Sequence, residues 1–299
     1  MKKLLLLILL PFLLGSCNLP VTITIGNPAT ATPQLPAATE AVLPTETALP
    51  AEPLATATPE IQGTALNLGG VSMTVPTCLA GSASGVIMPE YDPGDDGPVF
   101  MANPEYRKIT LQGYLLSNKF WEPIVQVYPL QRYVELAPNL VDTVTEMQQI
   151  LANKPATFDH SIPLLPIENA AQIFRAQVAY TNFQNGQGIG FLTEYAQYYA
   201  PVNNHDLFYT YQGITNDGKY WVSAIFPVNA AYLQPTYNDF TVPADGIAAP
   251  QDISSATFSD DMDAYYVQMV EKLNSTSPDA FTPTLTCIQQ YLQTLNIAD

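Results

Sequence analysis

Positive charge is scarce in this chain. Its 299 residues hold 10 lysines and arginines against 27 aspartates and glutamates, and only 12% of the residues are charged. A formal charge of −17 repels phosphate backbones, so nucleic acid is excluded as a partner. Histidine is scarcer still: His160 and His205 are the only two. A zinc site takes three or four His, Cys, Asp or Glu ligands at compatible spacing, and neither an HExxH nor a CxxC pattern is present. The P-loop and the dinucleotide fingerprint are missing as well. Gly81-Ser82-Ala83-Ser84-Gly85 imitates the Gly-x-Ser-x-Gly elbow of serine hydrolases, but Ala83 occupies the nucleophile position, and the tract reads as a loop of small residues. No cofactor is expected from these patterns. Apolar residues, by contrast, make up 47% of the chain, more than a fully disordered polymer carries, so a packed core is expected.

The N-terminus is built differently from the rest. Met1-Lys2-Lys3 is a positive start, Leu4 to Leu14 is an eleven-residue apolar run broken only by Pro11, and Gly15-Ser16-Cys17 follows. At about 1.5 Å per residue, that run cannot cross a hydrocarbon core of about 30 Å. Leu14-Gly15-Ser16-Cys17 resembles the lipobox that ends the signal peptide of bacterial lipoproteins. The resemblance implies cleavage before Cys17, a diacylglycerol group on its thiol, and placement on the extracytoplasmic face of a membrane. Loss of Lys2 and Lys3 would take the formal charge from −17 to −19. No later segment approaches 18 continuous apolar residues, so the lipid would be the anchor. An ordinary secretory signal with a chance cysteine is the alternative.

From Asn18 to Glu60, 26 of 43 residues are Pro, Thr or Ala, and none is aromatic. Such a tract buries too little apolar area to offset its ordering entropy, and its prolines deny regular ladders. Residues 17–60 therefore read as a lipidated cysteine and a disordered stalk behind a signal peptide at 1–16, with one folded domain over 61–299. At about 3.1 Å per residue, the stalk reaches on the order of 130 Å when fully extended. With Cys17 lipidated, Cys78 and Cys287 remain in an oxidising compartment, where a disulfide is the parsimonious use. Two buried free thiols are the alternative.

Periodicity in the domain predicts strands at Val71–Val75, Ile109–Leu111 and Ile124–Tyr128, then a helix through Leu140, Val144, Met147 and Leu151. Ile173–Phe183 and Ile189–Tyr195 read as a hairpin around Gln184–Gly188. A second hairpin joins Leu207–Gln212 to Tyr220–Phe226 through Asn216-Asp217-Gly218. Ser259 reads as the N-cap of a helix with Met262, Tyr265, Tyr266, Met269 and Leu273 on one stripe. A last helix starts after Thr282-Pro283, with Leu285, Ile288, Leu292 and Leu295 facing inward. The expected class is α+β, an antiparallel sheet with helices packed on one face. The order of elements is similar to that of the PsbP/Mog1-type α/β/α sandwich found in some envelope lipoproteins.

Two features invite a ligand. Asp92, Asp95 and Asp96 cluster in an acidic turn, a weak calcium candidate without EF-hand spacing, for which a solvated turn is the plain alternative. Aromatic residues crowd the region from Tyr195 to Trp221, and Tyr209 and Tyr211 share one strand face. With Trp221 they form either core or an exposed platform for a sugar ring or peptide. The leading functional expectation is a lipid-anchored binding or structural module of the cell envelope, meeting a cell-wall polymer, peptide or envelope protein. The runner-up is an extracytoplasmic hydrolase whose active site the sequence does not reveal.

Overall fold

The computed structural model describes residues 61–94 and 97–298. Residues 1–60, over which a signal peptide, a lipidated Cys17 and a stalk are expected, lie outside the described residues, as do Asp95 and Asp96. The chain enters through β1 (Gly63–Leu68) and β2 (Val71–Pro76), then β3 (Ser82–Met88), β4 (Tyr106–Gln112) and β5 (Ile124–Pro129). Two helices follow, α1 (Leu130–Leu136) and α2 (Leu140–Asn153). Next come β6 (Ala171–Gln172), β7 (Ala176–Phe183), β8 (Gly186–Thr193), β9 (Tyr195–Ala196), β10 (Phe208–Thr215) and β11 (Tyr220–Pro227). The chain closes with α3 (Phe258–Ser275), α4 (Leu285–Gln293) and β12 (Asn296–Ile297). The fold is α+β, with helices on a fully antiparallel seven-stranded sheet ordered β3-β4-β5-β11-β10-β8-β7.

The sheet is covered on both faces, not one. Every residue of β10 is buried, and so is every residue of β11 except Tyr220. A strand buried on both sides needs a layer above and a layer below. Val125, Val127, Leu192, Tyr209, Tyr211, Val222, Ala224 and Phe226 point to the side closed by β2, α3 and α4. Tyr128, Ile189, Phe191, Ile214 and Trp221 point to the opposite side, where Leu130, Tyr133, Leu140, Met147, Ile150 and Leu151 of α1 and α2 meet them. Sequence periodicity had found α2 but not α1, a short helix opening directly from β5 at Pro129.

Several boundaries differ from expectation. Ser82–Met88 is not a small-residue loop: it is β3, an edge strand paired along its length with β4. The turn between β7 and β8 is only Gln184-Asn185, because Gly186 and Gly188 belong to the strand. Ser259 is inside α3, whose N-cap is Thr257, and α4 is capped by Thr284 accepting from the Cys287 N–H at 3.1 Å. The β7 edge is closed by a bulge at Gln177, whose φ is 53°. Its backbone N–H donates to Asn274 Oδ1, and its carboxamide donates to the carbonyls of Leu273 and Thr276 at the end of α3. Those bonds cap the helix and block further strand pairing there.

Cys78, just after β2, is bonded to Cys287 in the first turn of α4, with 6.3 Å between Cα atoms. Beside it, Tyr291 donates to Met73 Sδ, and Thr294 Oγ1 accepts from the Thr74 N–H. The two ends of the domain are thus held together by the disulfide, by these side-chain bonds and by the pairing of β12 with β2. The bond closes a loop of 209 residues, for which chain entropy gives about 5 kcal/mol as an upper figure. Denaturant titration should show Cys78→Ser and Cys287→Ser losing similar stability, with the double variant no worse than either. Additive losses would contradict a shared cross-link.

Candidate functional site

The aromatic hairpin is core. Tyr209, Tyr211 and Trp221 have no accessible surface, so they form no platform. Their burial is prepared by the neighbouring strand. A Cβ on Gly188 would sit 2.3 Å from the Tyr211 ring, and one on Gly190 would sit 2.0 Å from the Tyr209 hydroxyl oxygen. The glycines leave the slots in which the two rings lie flat against β8. Tyr211 donates to the Thr181 carbonyl at 2.7 Å, and burial pushes its hydroxyl well above the ordinary range. Trp221 donates from Nε1 to Gln212 Oε1 at 2.8 Å. The polar side chains of Gln212 and Asn203 are buried as well.

Accessible rings occur one turn of chain earlier, where Tyr198 and Tyr199 follow β9. Tyr198 is 60% exposed and Tyr199 45%. Their position is set by two tyrosines of α3. The Tyr266 hydroxyl donates to the Ala200 carbonyl and accepts from its N–H, while the Tyr265 hydroxyl accepts from the Val202 N–H. With the backbone from Ala200 to Val202 clamped to the helix, Tyr199 stacks on Tyr266 at 6.4 Å and meets Phe258 edge-on at 6.0 Å. Its hydroxyl lies 2.8 Å from Ser259 Oγ, and Tyr198 meets Tyr237 edge-on. Tyr198, Tyr199, Phe258 and Tyr266 line an open groove of about 1160 Å³ together with the segment Glu168–Ile173, whose strand β6 pairs with β9 through Ala171 opposite Ala196.

The segment Glu168–Ile173 is placed by the sheet. Gln212 Oε1, besides taking the Trp221 N–H, accepts from the Leu165 N–H at 3.2 Å. Leu165 is fully buried, and Pro163 and Pro166 keep the chain around it out of any ladder. Farther on, the Gln172 carboxamide accepts from the Ile162 N–H and donates to the Ile162 carbonyl and the Tyr195 hydroxyl. Burial pushes the Tyr195 hydroxyl up to about 12. The segment Glu168–Gln172 is therefore a rigid partition. It separates the groove from an adjoining cavity of about 430 Å³, and Glu168, Ala170, Ala171 and Gln172 line both.

Glu168 stands out on this partition. It is half-buried, desolvation raises its carboxyl above the ordinary value, and it has no hydrogen-bond or ion-pair partner among the described residues. Sequence reasoning missed it, because a single acid in Pro166-Ile167-Glu168-Asn169 has no pattern to distinguish it from the other 26 acids. Tyr198 and Tyr199 were within the aromatic crowd, and their place before Pro201, outside any strand alternation, was the available signal.

The remaining candidates are not gathered there. His160 Nε2 lies 2.7 Å from Glu146 Oε1 at the smaller cavity, while His205 Nδ1 lies 2.6 Å from Asp206 Oδ1. Asp92 accepts from the Gly94 N–H within its own turn, and no group of three or more metal-ligating side chains occurs among the described residues. Lys119 donates to the Asn204 carbonyl and to Asn229 Oδ1, and burial pulls its ammonium down to about 8 against the opposing pull of Asp206. Around it, Asn203 Oδ1 accepts from the N–H groups of His205 and Asp206, and Asn204 bonds Ala230 and Leu233. This cluster spends its polar groups on holding three loops together. Among the described residues, no helix is long and apolar enough to cross a membrane. No family model, curated protein or solved structure matches the chain.

Glu194 supports the same loops from below. It is buried, accepts from the Asn203 N–H at 2.8 Å, and has its carboxyl raised well above the ordinary value, by desolvation first and by Asp206 after the opposing backbone bond. A raised carboxyl holds a proton in the folded state that the unfolded chain releases above about pH 4.3. Stability contributed at low pH is therefore lost as pH rises toward the folded value. Melting curves from about pH 4 to about pH 8 should show Glu194→Gln gaining on the wild type as pH rises. Parallel curves would mean that Glu194 titrates normally.

Proposed function

We propose that this chain is a lipid-anchored binding module, carried on a stalk at the extracytoplasmic face of a bacterial membrane. Its ligand lies in the groove beside Tyr198 and Tyr199. The observation that carries this reading is the pair of solvent-facing rings set in a groove of ligand size, while the hairpin aromatics Tyr209, Tyr211 and Trp221 are core. The lipobox resemblance at Leu14–Cys17 and the Pro/Thr/Ala tract behind it support the anchor and the stalk. Confinement to a surface raises the effective concentration of neighbouring envelope targets, so a few stacking contacts suffice for a working affinity.

The second reading, a hydrolase acting in the same groove, draws on one observation. Glu168 and Asp263 both line the groove, and Glu168 has the raised carboxyl that a proton donor needs. It requires turnover of an envelope polymer by the wild type and loss of that turnover in Asp263→Asn.

Two measurements test the binding reading. Cys17→Ala should lose labelling by a palmitate analogue and move to the soluble fraction; retention on the membrane without label would contradict the anchor. Tyr198→Ala and Tyr199→Ala should each weaken retention on isolated envelope material by about two- to tenfold. That range corresponds to about 0.5–1.5 kcal/mol per ring contact. Tyr198→Ala should leave the melting temperature unchanged, since that ring is mostly in solvent. Unaltered retention in both variants would remove the groove from the account.

A further inference from the structure

Building on the reading of the groove as a ligand site, we propose that it takes a basic peptide. In this arrangement an extended segment pairs a lysine ammonium or arginine guanidinium with Glu168 and lies along Tyr198 and Tyr199. The first support is the state of Glu168 itself. A carboxylate withdrawn from water without a partner is unfavourable, and proteins keep such groups paired or bound to a cation. Here the side chain is half-buried on the partition between two cavities, and no donor from the described residues reaches it. An arriving cation supplies the missing partner.

Charge complementarity is the second support. The groove is lined by two carboxylates, Glu168 and Asp263, and by no lysine, arginine or histidine. Where the adjoining cavity does hold a histidine, His160, its ring is already at Glu146. The chain as a whole carries −17, so a basic segment is also drawn in from a distance, an attraction that salt screens. Ring faces add to this, because ammonium and guanidinium groups are attracted to the faces of tyrosine and phenylalanine.

The shape favours a peptide over a compact amine. Glu168, Ala170, Ala171 and Gln172 line both the groove and the second cavity, so an extended chain can reach both where a compact amine fills one. A neutral sugar would stack on the same rings, but it would leave the desolvated charge of Glu168 uncompensated. That difference makes the inference testable.

The experiment uses the full lipidated chain in detergent micelles and a fluorescent, end-blocked peptide of alternating alanine and lysine. The same peptide with every lysine acetylated is the comparator, and a neutral oligosaccharide of N-acetylglucosamine is the third probe. The lysine peptide should bind about tenfold more tightly than its acetylated form, and Glu168→Gln should reduce that preference to about twofold or less. The Glu168→Gln protein should melt no lower than the wild type, because the substitution breaks no bond. Equal binding of the two peptides, or an undiminished preference in Glu168→Gln, would overturn the inference. Binding of the oligosaccharide alone, weakened by Tyr199→Ala, would overturn it while leaving the groove as the binding site. If no probe binds and retention on envelope material is also insensitive to Tyr198→Ala and Tyr199→Ala, both readings fall together.

Discussion

At the middle of the seven-stranded sheet, the carboxamide of Gln212 makes four hydrogen bonds without any exposure to solvent. Its nitrogen donates to Thr210 Oγ1 and Ser223 Oγ, and its oxygen accepts from Trp221 Nε1 and the Leu165 N–H. A neutral amide has two donors and two lone pairs, so the group is fully used. Burying such a group is tolerable only on those terms, since each unpaired member would lose about 1–3 kcal/mol. The consequence is specificity of path: the segment after α2 crosses the face of β10 where its Leu165 N–H meets Gln212. Hydrophobic burial alone would not fix that register.

The groove follows from the crossing. Once Leu165 is tied to the sheet, Ala171 and Gln172 pair with Ala196 and Tyr195, and Gln172 fastens the segment by gripping Ile162 and Tyr195. Next to Tyr198 and Tyr199, the hydroxyls of Tyr265 and Tyr266 fix the backbone from Ala200 to Val202. Both parts of the lining are thus held by side chain to backbone bonds from regular elements. This is how an open groove between loops keeps a defined shape. Glu168 is the one charged group on the partition that this scaffolding leaves without a partner.

Much of the frame was legible in the sequence because it rests on periodicity. The stripe Met262, Tyr265, Tyr266, Met269 and Leu273 is buried as a helical repeat demands, and the hairpin of β10 and β11 turns at Asn216-Asp217-Gly218. The pairing of Cys78 with Cys287 followed from having two cysteines left in the domain. The aromatic hairpin was misplaced for a physical reason. Whether Tyr209 and Tyr211 face solvent depends on what covers that side of the sheet, and the cover is α3 and α4, far along the chain. The glycines at 188 and 190 did carry the answer, but reading them required the register of β8 against β10. Glu168 was illegible altogether: its half-burial depends on the path of the segment after α2, which Gln212 and Gln172 hold through Leu165 and Ile162 by bonds that no local pattern announces.

The groove beside Tyr198 and Tyr199 is the face proposed to meet the ligand. Hydroxyl-radical footprinting of the lipidated protein, alone and on isolated envelope material, tests this most directly. The molecule offers its own control, since Tyr91, Phe100 and Met101 are exposed on the segment after β3, at 49%, 43% and 47%, and line neither the groove nor its adjoining cavity. Protection of Tyr198 and Tyr199 on binding, with Tyr91, Phe100 and Met101 labelled as before, is the result predicted. Protection of Tyr91, Phe100 and Met101 with Tyr198 and Tyr199 still fully labelled would contradict it.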